Sequence, residues 1–253
     1  MIMTEIQRPT AIRLTVSFAS AVYEESHVVE GVRGQRCGSA GRGSGGTDGW
    51  RAVVEAGAVA VLADPPAALL KEVSPAVIVD AIMAKRNLGT SRVDGVVVVA
   101  LGPGFHAGRD ADAVIETARG HDLGRIIRDG GARADTGIPG DIAGRTADRV
   151  LRAPVDGEVA LYRRIGDLVE EGDVILRVGQ ADVRAPFRGC LRGAIHPQVV
   201  VSRGMKVGDV DPRGDTAYVH LVSDKARAVG RAALEAALVI GRERGLFGVR
   251  SAR

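Results

Sequence analysis

Ala153-Pro-Val-Asp-Gly157 and Ala185-Pro-Phe-Arg-Gly189 are one phrase written twice, 32 residues apart. Each is followed by a glycine-punctuated valine run: Ile165-Gly-Asp-Leu-Val-Glu-Glu-Gly172-Asp-Val, then Val199-Val-Val-Ser-Arg-Gly204-Met-Lys-Val-Gly208-Asp-Val. Gly172 and Gly204 keep the same offset. A repeat this short cannot bury its own apolar face, so the two copies must cover each other. The economical result is a small two-sheet β barrel over residues 149–215.

This duplicated stretch resembles the barrel-sandwich fold of biotinyl and lipoyl carrier domains. Those domains carry a lysine at the tip of the hairpin between their halves. Here the link reads Val178-Gly-Gln-Ala-Asp-Val183 and holds no lysine, while Lys206 lies inside the second copy. Covalent biotin or lipoate is therefore not expected, and the module reads as a docking or packing unit.

The chain has 253 residues, room for one large domain or two modest ones. Aromatic residues are 3% of it, so its core must be built from Val, Ala, Leu and Ile. Net charge is +3, with arginines and acids interspersed and no basic stripe carrying aromatics, which argues against nucleic acid as a partner. Cys37 and Cys190 make neither a metal-ligand spacing nor a disulfide framework. No signal peptide is visible, and the longest apolar run, Val96–Leu101, is too short to span a bilayer. A cytoplasmic protein without a membrane partner is the expectation.

Upstream of the repeat the pattern alternates strand and helix. Residues 1–6, 27–32, 58–62, 76–80 and 93–101 read as strands, and residues 15–24 and 50–56 as short helices. Asp64 is placed to cap a helix opening at Pro65-Pro66. Gly34–Gly49, with seven glycines, reads as a flexible or disordered loop. Residues 112–117 and 123–128 fit a hairpin or a helix followed by a strand, and the hairpin, turning at Arg119–Asp122, is the preferred reading. Ser223-Asp224 caps a helix to about Arg242, ahead of a basic tail. The expected architecture is α/β, α+β overall. It consists of an incomplete Rossmann-like parallel sheet domain (1–148), the barrel-sandwich-like β module (149–215), and a C-terminal helix and tail (216–253) packing on the α/β domain.

Candidate site residues cluster just after predicted strands, where open α/β sheets bind ligands. Strand 76–80 ends in Asp80 and runs on to Lys85, Arg86 and Asn87. Strand 93–101 ends in Gly102-Pro103-Gly104. Glycines let backbone amides approach a ligand, and the cations suit an anionic group. The plain alternative is a tight turn with Asp80 paired to Lys85 or Arg86. A second group, Glu116, Arg119, His121, Asp122 and Arg125, has too few ligands for a metal and reads mainly as a solvated turn. Asp211, Arg213, Asp224 and Lys225 read as structural ion pairs.

Several long blocks resemble one family. They are Gln7-Arg-Pro-Thr-Ala-Ile-Arg-Leu-Thr-Val-Ser-Phe18, Val79-Asp-Ala-Ile-Met-Ala-Lys-Arg-Asn-Leu-Gly-Thr90, Leu101-Gly-Pro-Gly-Phe105, Val114-Ile-Glu-Thr-Ala-Arg-Gly-His-Asp-Leu-Gly-Arg125, Thr136-Gly-Ile-Pro-Gly140, Gly208-Asp-Val-Asp-Pro-Arg-Gly214 and Ser223-Asp-Lys225. The family is the YqeB-type accessory protein of the selenium-dependent molybdenum hydroxylase system. The resemblance implies a cytosolic bacterial maturation protein for hydroxylases related to xanthine dehydrogenase. A hydroxylase subunit is then the partner, and the molybdenum cofactor or a selenium species the ligand. It also implies a preceding strand, glycine turn and helix, which this chain lacks. Glu5 then stands where a dinucleotide-binding fold places its ribose-binding acid. A nucleotide-dependent oxidoreductase shortened at its N-terminus, and a scaffold without a ligand, are the rival readings.

Overall fold

The computed structural model describes residues 1–6, 8–37, 49–63, 72–137 and 139–246. Two compact units emerge, each assembled from separated stretches of chain. One is Met1–Leu69 with Pro139–Val222, and the other is Leu70–Ile138 with Ser223–Arg253. The architecture is mixed α/β, as the alternating pattern implies. The strands upstream of the repeat are distributed over two four-stranded sheets.

The first unit opens on β1 (Ile2–Glu5), 3-10 turns at Leu14–Val16 and Phe18–Ser20, α1 (Ala21–Glu24), β2 (Ser26–Val29), β3 (Val32–Cys37), α2 (Gly49–Glu55) and β4 (Val59–Ala63). Their sheet has the order β1-β4-β3-β2, parallel except for the β2–β3 hairpin. Glu30 and Gly31 both have positive φ, +46° and +84°, as a two-residue turn matched to strand twist requires. Every residue of β4 is buried, and Val59, Val61 and Ala63 pack with Ala21, Val22, Met3 and Phe18. The expected loop 34–49 needs correction at both ends, because residues 34–37 belong to β3 and Gly49 opens α2. Gly34 is there for packing: a Cβ would stand 2.5 Å from the Phe18 ring. Residues 38–48 of that loop, the Asp64–Pro66 cap and the tail beyond 246 lie outside the described residues.

The second unit carries β5 (Val77–Asp80), β6 (Val97–Leu101), β7 (Ala113–Ile115), β8 (Ile126–Ile127) and α3 (Asp224–Glu243). Strands β5, β6 and β7 are parallel, and β8 closes the expected hairpin against β7. The unbroken apolar run in β6 reflects burial on both faces. Val97 and Val99 meet Val229, Ala232, Ala233, Ala236 and Ile240 of α3, while Val98 and Ala100 pack with Phe105, Ala107, Ala111 and Val114. The Ser223 hydroxyl accepts the Ala226 N–H at 3.2 Å and starts α3 where the sequence places its cap.

The repeat builds two sheets in the first unit. Its strands are β9 (Val150–Arg152), β10 (Val159–Leu161), β11 (Leu168–Val169), β12 (Val174–Val178), β13 (Ala181–Arg184), β14 (Gly189–Ala194) and β15 (Lys206–Asp211). One sheet is β10-β12-β13 and the other β11-β14-β15-β9. Each copy gives its first strand to the other's sheet, so β9 pairs with β15 and β13 with β12. The hydrogen bonds obey the same exchange. The Gly172 N–H donates to Ala185 O at 2.9 Å, and the Gly204 N–H donates to Ala153 O at 2.8 Å. Arg184 donates to Gly172 O and Arg152 to Gly204 O, both at 2.9 Å. Both sheets share one core, in which Leu176, Ile175, Leu191 and Val210 are inaccessible. The link between the copies turns at Gly179-Gln180, and Lys206 sits on β15.

This pseudo-symmetry yields a matched prediction. Gly172 and Gly204 have φ of +86° and +83°, and a Cβ at either would meet nothing within 4 Å. Gly172→Ala and Gly204→Ala should therefore each cost only the backbone strain, about 1 kcal/mol. Urea denaturation of the two variants checks both the size and the equality.

Candidate functional site

Parallel register lines up three strand ends in the second unit. Asp80 faces Ala100, Leu101 faces Ile115, and Gly102 and Glu116 follow directly. The loops leaving β5, β6 and β7 therefore start side by side. Asp80 is buried and accepts hydrogen bonds from the Ile82 N–H at 3.0 Å and the Thr90 hydroxyl at 2.5 Å. It clasps both ends of loop 81–90, which is a different use from pairing with Lys85 or Arg86. The Asn87 side-chain oxygen accepts the Gly89 and Thr90 N–H groups, and its amide donates to Thr90 O. Both residues shape the loop. Met83 and Lys85 hold φ of +59° and +64°, a conformation that side chains other than glycine adopt at a cost.

Gly102 and Gly104 lock the neighbouring loops together. A Cβ on Gly104 would stand 2.6–2.9 Å from the Arg86 backbone, and one on Gly102 would stand 2.8 Å from Thr117 Oγ1. The close approach these glycines permit is thus to the protein's own loops. Glu116 is buried and spent in the same way. One of its oxygens accepts the Thr117 and Ala118 N–H groups at 2.7 Å each, and the other accepts the Arg133 N–H at 2.8 Å.

Cations gather around this frame. Lys85 Nζ lies 3.8 Å from an Asp135 oxygen. Arg119 forms a two-pronged pair with Asp224, at 2.6 and 2.9 Å, at the start of α3. Lys225, the next residue, is half-buried. Burial pushes its ammonium pKa down, and the charges of Lys85 and Arg119 act in the same direction against Asp135 and Glu116. Lys85, Arg119 and Lys225 thus share one electrostatic neighbourhood with two carboxylates. His121 is exposed on the β7–β8 turn and makes no hydrogen bond among the described residues. Asp122 pairs with Arg125 and Arg133 on that turn. Asp211 pairs with Arg213, in the first unit. Glu5 also belongs to the first unit, at the end of β1, where burial raises its carboxyl pKa against a hydrogen bond from the Ile6 backbone. Among the described residues no group of three or more His, Cys, Asp and Glu is placed to hold a metal ion. No described helix is long and apolar enough to cross a membrane.

Sequence reasoning missed Lys225 as a site residue and read it as a structural ion pair. The signal was present in the Ser223-Asp-Lys225 block, but its proximity to Lys85, 140 positions earlier, exists only in the folded chain. The resulting arrangement can bind an anion through ammonium groups on a rigid frame. It also holds one amine that gives up its proton more readily than an exposed lysine.

No protein-family model matches the chain. It is 46% identical over 240 residues to the uncharacterized protein YqeB of Escherichia coli (strain K12). That alignment takes in 95% of this chain and 43% of the relative, so the chain spans less than half the relative's length. Among solved structures, an aspartoacylase family protein from Mesorhizobium loti aligns with 34% of this chain and 27% of its own, at 15% identity and a TM-score of 0.25. The product-bound ectoine utilization protein EutE (DoeB) from Ruegeria pomeroyi aligns over the same shares at 23% identity and a TM-score of 0.24. Likenesses this partial carry no argument about fold or activity.

Proposed function

We propose that this chain is a YqeB-type accessory protein for the maturation of selenium-dependent molybdenum hydroxylases. In this reading it holds an anionic ligand or cofactor at the carboxyl ends of β5, β6 and β7 and docks a hydroxylase subunit through its duplicated β module. Similarity to YqeB along 95% of the chain supports the family. The observation that carries the site is the gathering of Lys85, Arg119 and Lys225 around loops that Asp80, Gly102, Gly104 and Glu116 hold in place.

The donor set fits the anionic end of a phosphate-bearing cofactor such as the molybdenum cofactor. Lys85 and Lys225 supply the charge, and burial around Lys225 strengthens its attraction for an anion. The cofactor would bring the metal and its redox chemistry; this chain's residues would bind it, orient it and limit its access to water.

Co-expression of a selenium-dependent molybdenum hydroxylase with this chain tests the reading. Hydroxylase activity per molecule should fall at least about tenfold when Lys85 and Lys225 are both replaced by alanine, the loss expected for two charge-assisted contacts. Full hydroxylase activity in cells that lack the chain would overturn the proposal.

A further inference from the structure

Around β14 and β15 of the first unit lies a second concentration of charge. Its carboxylates are already committed. Asp211, 1% exposed, accepts three hydrogen bonds from Arg213: from the backbone N–H at 3.1 Å, Nε at 2.9 Å and Nη2 at 2.6 Å. Asp209 accepts from Arg149 Nη1.

Three further cations act on this pair of carboxylates without donating a hydrogen bond to either. Arg192, 9% exposed, comes no nearer to an acid than 3.7 Å, at Asp211. Its Nε is buried without a partner, as are those of Arg13 and Arg149. Arg13 donates only to backbone carbonyls, Tyr218 O at 3.0 Å and Leu221 O at 3.1 Å. The Lys206 ammonium makes no hydrogen bond or ion pair with the described residues, although Asp209, Arg149 and Arg192 all act on its charge. Burial pushes the Arg13 pKa down to about 10, with Arg192 adding to the shift. It also lowers those of Arg192 and Lys206.

The strand register sets the central residue apart. The β14–β15 register slips between Leu191 and Gly193, so Arg192 is the extra residue of a β-bulge. Bulges re-aim side chains and recur beside functional sites. Buried cations left without a hydrogen-bonding acid are costly, and a fold retains them where something else supplies the missing acceptor.

We propose that Arg13, Arg192 and Lys206 form a binding site for a phosphate group. Arg13, Arg149, Arg192, Lys206 and Arg213 stand against Asp209, Asp211 and, at Arg213, Asp215, so the surplus still calls for more than one negative charge. A dianionic, many-oxygen acceptor meets that surplus and also engages the orphaned guanidinium donors, which a single carboxylate does only in part. The site is independent of the strand-end site in the other unit.

Isothermal titration of the full chain with inorganic phosphate in low-chloride buffer tests this. Saturable binding is expected for the wild type and also for a Lys85→Ala/Lys225→Ala background that lacks the strand-end cations, and in that background Arg192→Gln and Lys206→Met each weaken it at least about tenfold. A parallel titration with glycerol 3-phosphate separates a phosphorylated molecule from the free ion: tighter binding of the ester identifies the former, and the reverse the latter. If Arg192→Gln fails to fold, Lys206→Met decides. No saturable phosphate binding by the wild type would overturn the site. So would Arg192→Gln and Lys206→Met proteins that bind like their background, or saturable binding that is lost in the Lys85→Ala/Lys225→Ala background, which would move it to the strand-end loops.

Discussion

Asp112→Ala should cost the second unit about 3 kcal/mol. Asp112 is 8% exposed. One oxygen accepts from Arg92 Nε at 2.8 Å and Arg244 Nη2 at 2.5 Å; the other accepts from Arg244 Nη1 and the Val98 N–H, both at 2.9 Å. It thereby ties the residue following α3 to the middle of β6. The alanine variant leaves the Val98 N–H buried and unpaired, and that loss dominates, because Arg92 and Arg244 are exposed enough to turn to water. Hydrogen exchange should report the loss as faster exchange in β6 and α3, with β12 and β15 unchanged.

The same carboxylate makes stability depend on pH. Burial pushes the Asp112 pKa up, but hydrogen bonds from Arg244, the Val98 N–H and Arg92 together outweigh it, and the net shift is downward. Asp211 follows the same balance, with Arg213 as its chief donor. A depressed folded pKa gives stability that is fully present above the unfolded value, about 4, and lost as pH falls through the folded one. Acid denaturation followed between pH 5 and pH 2 (roughly the window of ordinary and depressed Asp values) should therefore show a steep loss for the wild type. The Asp112→Ala variant should show a shallower one.

Gly104→Ala should cost about as much, about 3 kcal/mol, by another route. Its φ of +105° is strained for any L side chain, and the new Cβ would stand 2.6 Å from Arg86 Cα and 2.7 Å from Arg86 N. Those atoms are backbone, so loop 81–90 must move as a whole, and Lys85 moves with it. Gly108→Ala is the control: φ is +88°, but no atom lies within 4 Å of the added Cβ, so only about 1 kcal/mol of strain is expected. A variant at 104 no less stable than the one at 108 would show that loops 81–90 and 102–106 are not locked together. If the strand-end site binds as proposed, Gly104→Ala also weakens its ligand while Gly108→Ala does not.

Much of this architecture is legible in the chain. Alternation and apolar runs mark β4, β5 and β6, Ser223 marks the start of α3, and the phrase at 153 and 185 announces a duplicated β module. The polar residues after β5, β6 and β7 do stand at strand ends. Their duties were not legible. Asp80, Asn87 and Glu116 carry the residue types of a ligand site, yet their oxygens bind the protein's own backbone and Thr90. Composition does not reveal whether a carboxylate is already satisfied, because that depends on which N–H groups the loops bring to it.

Local pattern alone marked β4, β5 and β6, the capped helix and the two-copy module, since period, turn residues and repeats act over a few neighbouring positions, whereas residues 27–32, expected as one strand, turn at Glu30-Gly31 between β2 and β3. Tertiary structure alone decided that the copies exchange their first strands, that α3 packs on β6, and that Lys225 joins Lys85 while Arg192 is left without a hydrogen-bonding acid. These outcomes depend on residues far apart in the chain meeting in a low-dielectric interior, where each charge is priced by its neighbours in space.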